Sequence, residues 1–195
     1  MQNNVKSLDT PQKEPGFARR LLKSPSGVVG IIIIVFYLGV GLAGAFGLTP
    51  HSPIEQNRLA RLQPPSETYR LGTDLYGRDV ASRVMDGATN SLRVALASVF
   101  LSGTIGTLLG AVSGFFGGMA DQIIMRVMDV FFAFPAILLA LLVVVVLGPG
   151  LNNTILAIAA VYTPIFARVA RGPTLSVREM DYVTAARCLG VSERR

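Results

Sequence analysis

Few residues in this 195-residue chain could do chemistry, and their spacing narrows what that chemistry is. There is one cysteine, Cys188, and one histidine, His51, so neither an intrachain disulfide nor a multi-histidine metal centre can form. Asp74 and Asp79 are paired carboxylates in a polar stretch, a pattern that can hint at general acid and base. Nothing beside them supplies a nucleophile or a metal partner. Ser98, Ser102 and Ser113 lie in an apolar run with no histidine and no mid-run carboxylate, which argues against an intramembrane protease. No Gly-x-x-x-x-Gly-Lys-Ser/Thr occurs, so the chain has no phosphate-cradling loop of its own. No residue is a credible catalytic group, and no cofactor or metal is expected.

Three groups of residues remain, each suited to recognition or mechanics. The first is Asp181, Tyr182, Thr184, Ala185, Ala186 and Gly190, inside a charged stretch at 176–195. It reads as a short helix stopped by Gly190, with a small face at Ala185 and Ala186 that lets another surface approach closely. The alternative is a solvated amphipathic tail. The second is Gly72, Thr73, Asp74, Gly77, Arg78 and Asp79, where Asp79 is placed to cap a short helix with Val80, Val84 and Ala88 on its apolar side. The alternative is ordinary turn and cap chemistry. The third is Arg126, Asp129 and Pro135 at the edge of an apolar run. Arg126 and Asp129 are three apart and would pair on a helix.

The elements that must position these groups are membrane helices. The chain is 51% hydrophobic and 15% charged, with mean hydropathy +0.51; soluble domains carry about 25% charged residues. Net charge is +6, but the basic residues sit at the ends of apolar runs rather than in one patch, which argues against nucleic acid. The fold class is therefore an all-α polytopic membrane protein. A polar tail at 1–27 precedes a first span at 28–48, whose glycines Gly39, Gly41, Gly44 and Gly47 suit close helix packing rather than a cleaved leader. A polar loop at 49–91 carries the short helix, which would lie on the membrane surface or cover a pore mouth. A core at 92–195 holds spans at about 94–118, 130–147 and 151–170. Pro135 falls in the first turns of the third span, where a helix tolerates it, and Pro164 should kink the fourth.

Basic residues number five in the tail, six between spans one and two, one between two and three and six after span four. That bias places the N-terminus, and with four spans also the 176–195 stretch, on the cytoplasmic side. Cys188 in a reducing compartment fits this side.

The three motifs, in this order between spans, resemble the permease subunits of bacterial ABC importers, and more narrowly the second permease of the dipeptide/oligopeptide/nickel group. The family's coupling loop reads Glu-Ala-Ala, three residues, Gly, then Ile-x-Leu-Pro about nine residues on. Ala185, Ala186 and Gly190 match; Thr184 stands where many members have Glu, and the Ile-x-Leu-Pro half would fall beyond Arg195. Leu71-Gly72-Thr73-Asp74 with Gly77-Arg78-Asp79, and Met125-Arg126 with Asp129 and Ala133-Phe134-Pro135, are similar to the narrower group. The likeness runs from about residue 17 to the end. It implies a type I (MetI-like) importer fold of which four of the usual six spans are present, as in a C-terminally truncated chain. It also implies the partners: a homologous second permease, two ABC ATPases, an extracytoplasmic solute-binding protein and the lipid bilayer of the bacterial inner membrane. Peptides are the expected solute. Nickel or another small solute, a non-functional remnant and a channel are the competing readings.

Overall fold

The computed structural model describes residues 21–191; the first twenty residues of the tail and the last four of the chain lie outside it. The described residues are helical throughout their regular structure, with a single bridge between Thr73 and Asp79 in place of any strand. They divide into two compact units, Met1–Ala88 and Thr89–Arg195.

In the first unit, helix α1 runs Pro25–Ala45, slightly earlier than the expected 28–48. Proline at its first position has no N–H to leave unsatisfied, and the Ser24 hydroxyl accepts from the Gly27 amide at 3.2 Å. Its 21 residues carry no charge and span about 31 Å, the thickness of a bilayer core. Nearly all its large side chains are exposed, as lipid contact requires. A 3-10 turn, Arg58–Ala60, follows in the loop.

Helix α2, Val80–Phe116, is one unbroken element of 37 residues. The separate short helix expected after Asp79 is thus the first turns of the second span. Between Val80 and Leu101 there is no proline and one glycine, Gly87, which the helix tolerates. At about 55 Å it exceeds the hydrocarbon thickness, and its charges, Arg83, Asp86 and Arg93, all fall in its first half.

In the second unit, α3 spans Gly118–Ala133, α4 Ala136–Leu147, α5 Leu151–Arg178 and α6 Asp181–Cys188. The expected third span, 130–147, is divided: its first residues close α3, the rest form α4, and the two helices meet at a bend of 94°. Pro135 is the cause, and it stands at the break rather than in the first turns of a continuous helix. It forces Phe134 into extended backbone (φ −95°, ψ 139°) and itself caps α4. Three helices are long and apolar enough to cross a membrane, or four if the bent pair counts as one crossing. Helix α5 continues through Pro164 and Pro173 to Arg178, beyond the expected end near residue 170.

Helix α5 is the hub of this unit. Gly103, Gly106, Gly110 and Gly114 of α2 lie along it, and a Cβ at Gly110 would sit 2.1 Å from the Ala167 carbonyl oxygen. Backbone meets backbone, the small-residue packing that associates helices where lipid removes the hydrophobic drive. Ser98, Ser102 and Ser113 are fully buried here. Ser98 donates across to the Ile155 carbonyl at 3.2 Å and Ser102 back to the Ser98 carbonyl at 2.7 Å, so neither hydroxyl is left unsatisfied.

Candidate functional site

The loop motif folds into a clasp. Gly72 (φ +73°) and Gly77 (φ +72°) hold backbone that other residues avoid, and a Cβ at Gly77 would overlap the Asn57 carbonyl at 1.8 Å. Thr73 accepts from the Gln63 amide at 2.8 Å and donates to the Ala60 carbonyl. Asp74 accepts from the amides of Tyr76 (2.8 Å) and Arg78 (3.0 Å), from the Arg78 guanidinium (2.8 Å) and from Arg83. Partial burial pushes its carboxyl up. The two amides and two guanidinium groups outweigh that and hold it well below the usual carboxylate range.

Asp79 caps α2 as the sequence led us to expect: its Oδ2 accepts from the Ser82 amide (3.0 Å) and hydroxyl (2.6 Å). The same hydroxyl accepts the His51 amide at 2.9 Å, tying the segment after α1 to the start of α2. Burial raises the Asp79 carboxyl, but these bonds, the Ala81 amide and the nearby His51 leave it net lowered. Both aspartates are consumed by structure, so turn and cap chemistry accounts for this motif and acid–base work does not.

The span-edge residues separate. Asp129 pairs with Arg168 of α5 at 2.6 Å, not with Arg126. Arg168 prevails because its guanidinium also stacks 4.1 Å over the Phe132 ring. Arg126 lines an open groove with Gln122, Ile123 and Met125 that Asp129 also borders, without pairing to it, and Pro135 makes the bend. The sequence reading missed a tighter cluster. Arg171 of α5 grips Asp121 of α3 with two bonds of 2.5 Å each, and Ser113 of α2 donates to the same carboxylate. These partners lie fifty and eight residues apart; the only signals in the sequence were a carboxylate opening an amphipathic stretch and an arginine at a span's exit.

Helix α6 gathers the remaining group. Asp181 stands in its first turn, where the positive helix end favours it. Its end is a Schellman closure: Val191 donates to the Ala186 carbonyl at 3.1 Å across Gly190, whose φ is +80°. Space around a Gly190 Cβ is open, so the conformation alone calls for glycine there. Val183 is half-buried and borders a cleft together with Phe115, Pro173, Thr174 and Val177. Tyr182 (63% exposed), Ala185 and Leu189 (84%) share the opposite face by their i, i+3, i+7 spacing. The strip is apolar with a small residue at its centre, and it is exposed.

Such a chain, with several membrane-length helices among its described residues, is a multi-pass membrane protein. Residues 106–195 match the family of binding-protein-dependent transport system inner membrane components, and residues 16–65 match the N-terminal membrane domain of oligopeptide transport permease C. A probable D,D-dipeptide transport permease of Escherichia coli K12 is 42% identical over 98% of this chain and 66% of its own length. A dipeptide transport permease of Alkalihalophilus pseudofirmus is 39% identical (91% and 58%), and a glutathione transport permease of Pectobacterium atrosepticum 38% (96% and 62%). The chain therefore belongs to the dipeptide/oligopeptide permease family of ABC importers, a family of transport permeases rather than of enzymes. It spans somewhat under two thirds of the length of these curated relatives.

Proposed function

We propose that the chain is the membrane part of a permease subunit that passes di- or oligopeptides across the bacterial cytoplasmic membrane, driven by separate ATPases. Its N-terminus and α6 face the cytoplasm and the loop clasp faces outward. It works beside a homologous second permease, two ABC ATPases and an extracytoplasmic solute-binding protein, and performs no reaction itself. Asp181, Tyr182, Thr184, Ala185, Ala186 and Gly190 form the surface that docks in an ATPase groove, and nucleotide-driven closure pushes it.

The observation that carries this reading is α6: a short helix with Val183 half-buried, closed by Gly190, and turning Tyr182, Ala185 and Leu189 outward. A small residue at the centre permits close approach, and the charged rim gives register. All three relatives described above carry peptides by name, glutathione being a tripeptide, which supports peptides over nickel. The test is a full-length permease bearing Ala186→Glu and Gly190→Pro together. Loss of ATPase co-purification and of dipeptide uptake is expected; normal uptake would contradict the docking role.

A further inference from the structure

We propose that Ser113, Asp121 and Arg171, with Arg178 laid over Gly117, are the joint through which movement of α6 reaches α2 and α3. The proposal rests on the docking role of α6 and assigns positioning residues for it.

Three helices meet at one carboxylate. Arg171 of α5 holds both oxygens of Asp121 at 2.5 Å, and the fully buried Ser113 of α2 donates to one of them. A forked arginine–carboxylate pair fixes direction as well as distance. The Asp121 side chain is only 16% exposed, whereas the second pair on the same helices, Asp129 with Arg168, is about half exposed on both sides. Solvent screens such an exposed pair strongly, so the inner pair sets the geometry.

The neighbouring backbone leaves no slack. A Cβ at Gly114 would lie 2.8 Å from Thr174 Cβ and 3.0 Å from the Arg171 carbonyl. The α2–α3 turn is made by Gly117 and Gly118, both at positive φ (63° and 54°), a natural hinge. That hinge is latched: the Arg178 guanidinium occupies the place where a Gly117 Cβ would be, at 2.3 Å. Arg178 and Phe115 also line a cleft of about 340 Å³ whose other wall includes Val183 of α6. The residues that border α6 are thus adjacent, on α2 and α5, to those that clamp α3. This is a contiguous chain of packed and hydrogen-bonded groups from the docking helix into two spans.

The test uses the full-length permease assembled with its ATPases in nanodiscs, with Cys188→Ser and a reporter Ser91→Cys on the exposed side of α2. Maleimide labelling of the reporter is timed with and without vanadate-trapped ATP. The parent is expected to change rate about tenfold on trapping, a typical coupling between sites. Asp121→Asn and Arg171→Gln should abolish the change while ATP hydrolysis and co-purification persist. The swap Asp121→Arg with Arg171→Asp should restore most of it. Ser113→Ala, a milder variant, should weaken it severalfold. The joint is refuted if Asp121→Asn or Ser113→Ala responds like the parent, or if the swap responds no better than the single variants. A parent that fails to bind its ATPases, or is indifferent to Ala186→Glu, refutes the docking role and the joint with it. A parent sensitive to Ala186→Glu but not to Asp121→Asn refutes the joint alone.

Discussion

At the scale of single residues, the loop between α1 and α2 is held by a few groups with no freedom to vary. Gly77→Ala must move its Cβ off the Asn57 carbonyl and hold a strained φ, so it should destabilise the folded loop by about 1–3 kcal/mol, read as a lower melting temperature in detergent. Asp74 makes a pH prediction. Its folded carboxyl lies below the ordinary aspartate value, so its contribution is complete above about pH 4, where the unfolded group is ionised. It is lost as pH falls below that toward the depressed folded value. Loop proteolysis should therefore stay constant from pH 7 to about 4 and rise in stronger acid, and Asp74→Asn should be protease-sensitive already at pH 7. The glycines, the cap at Asp79 and the stop at Gly190 were legible in the sequence, because each is decided within a few residues. The partners of Asp129 and Asp121 were not. Arg126 was the near candidate for Asp129, and only the packing of α5 brings Arg168 and Arg171 into reach.

At the scale of elements, apolar length and glycine spacing revealed the spans but misplaced their joints. The polar residues after Asp79 suggested a separate surface helix; the backbone has no reason to stop there, and α2 runs on. Pro135 was read as tolerated inside a helix, but its restriction of Phe134 turns one expected span into a 94° bend. The glycine row of α2 gives an element-level prediction. Gly110→Val should force α2 from α5 and cost about 1–3 kcal/mol of stability in detergent. Gly39→Ala, where a Cβ meets nothing within 4 Å, should be neutral or slightly stabilising. Equal melting temperatures for the two variants would contradict the packing described.

At the scale of the whole molecule, the proposed function rests on one surface. Helix α6, beside α5 and α2, is the part that we propose a nucleotide-driven partner takes hold of. Cys188 lies exposed on that helix and is the one cysteine of the chain. The most direct measurement is its labelling by a membrane-impermeant thiol reagent, in intact cells and in inside-out vesicles with and without the ATPase subunits. Cys188 should be silent in intact cells, react in stripped vesicles, and be protected severalfold once the ATPases are restored. Labelling from outside intact cells, or an unchanged rate when the ATPases bind, would contradict the account.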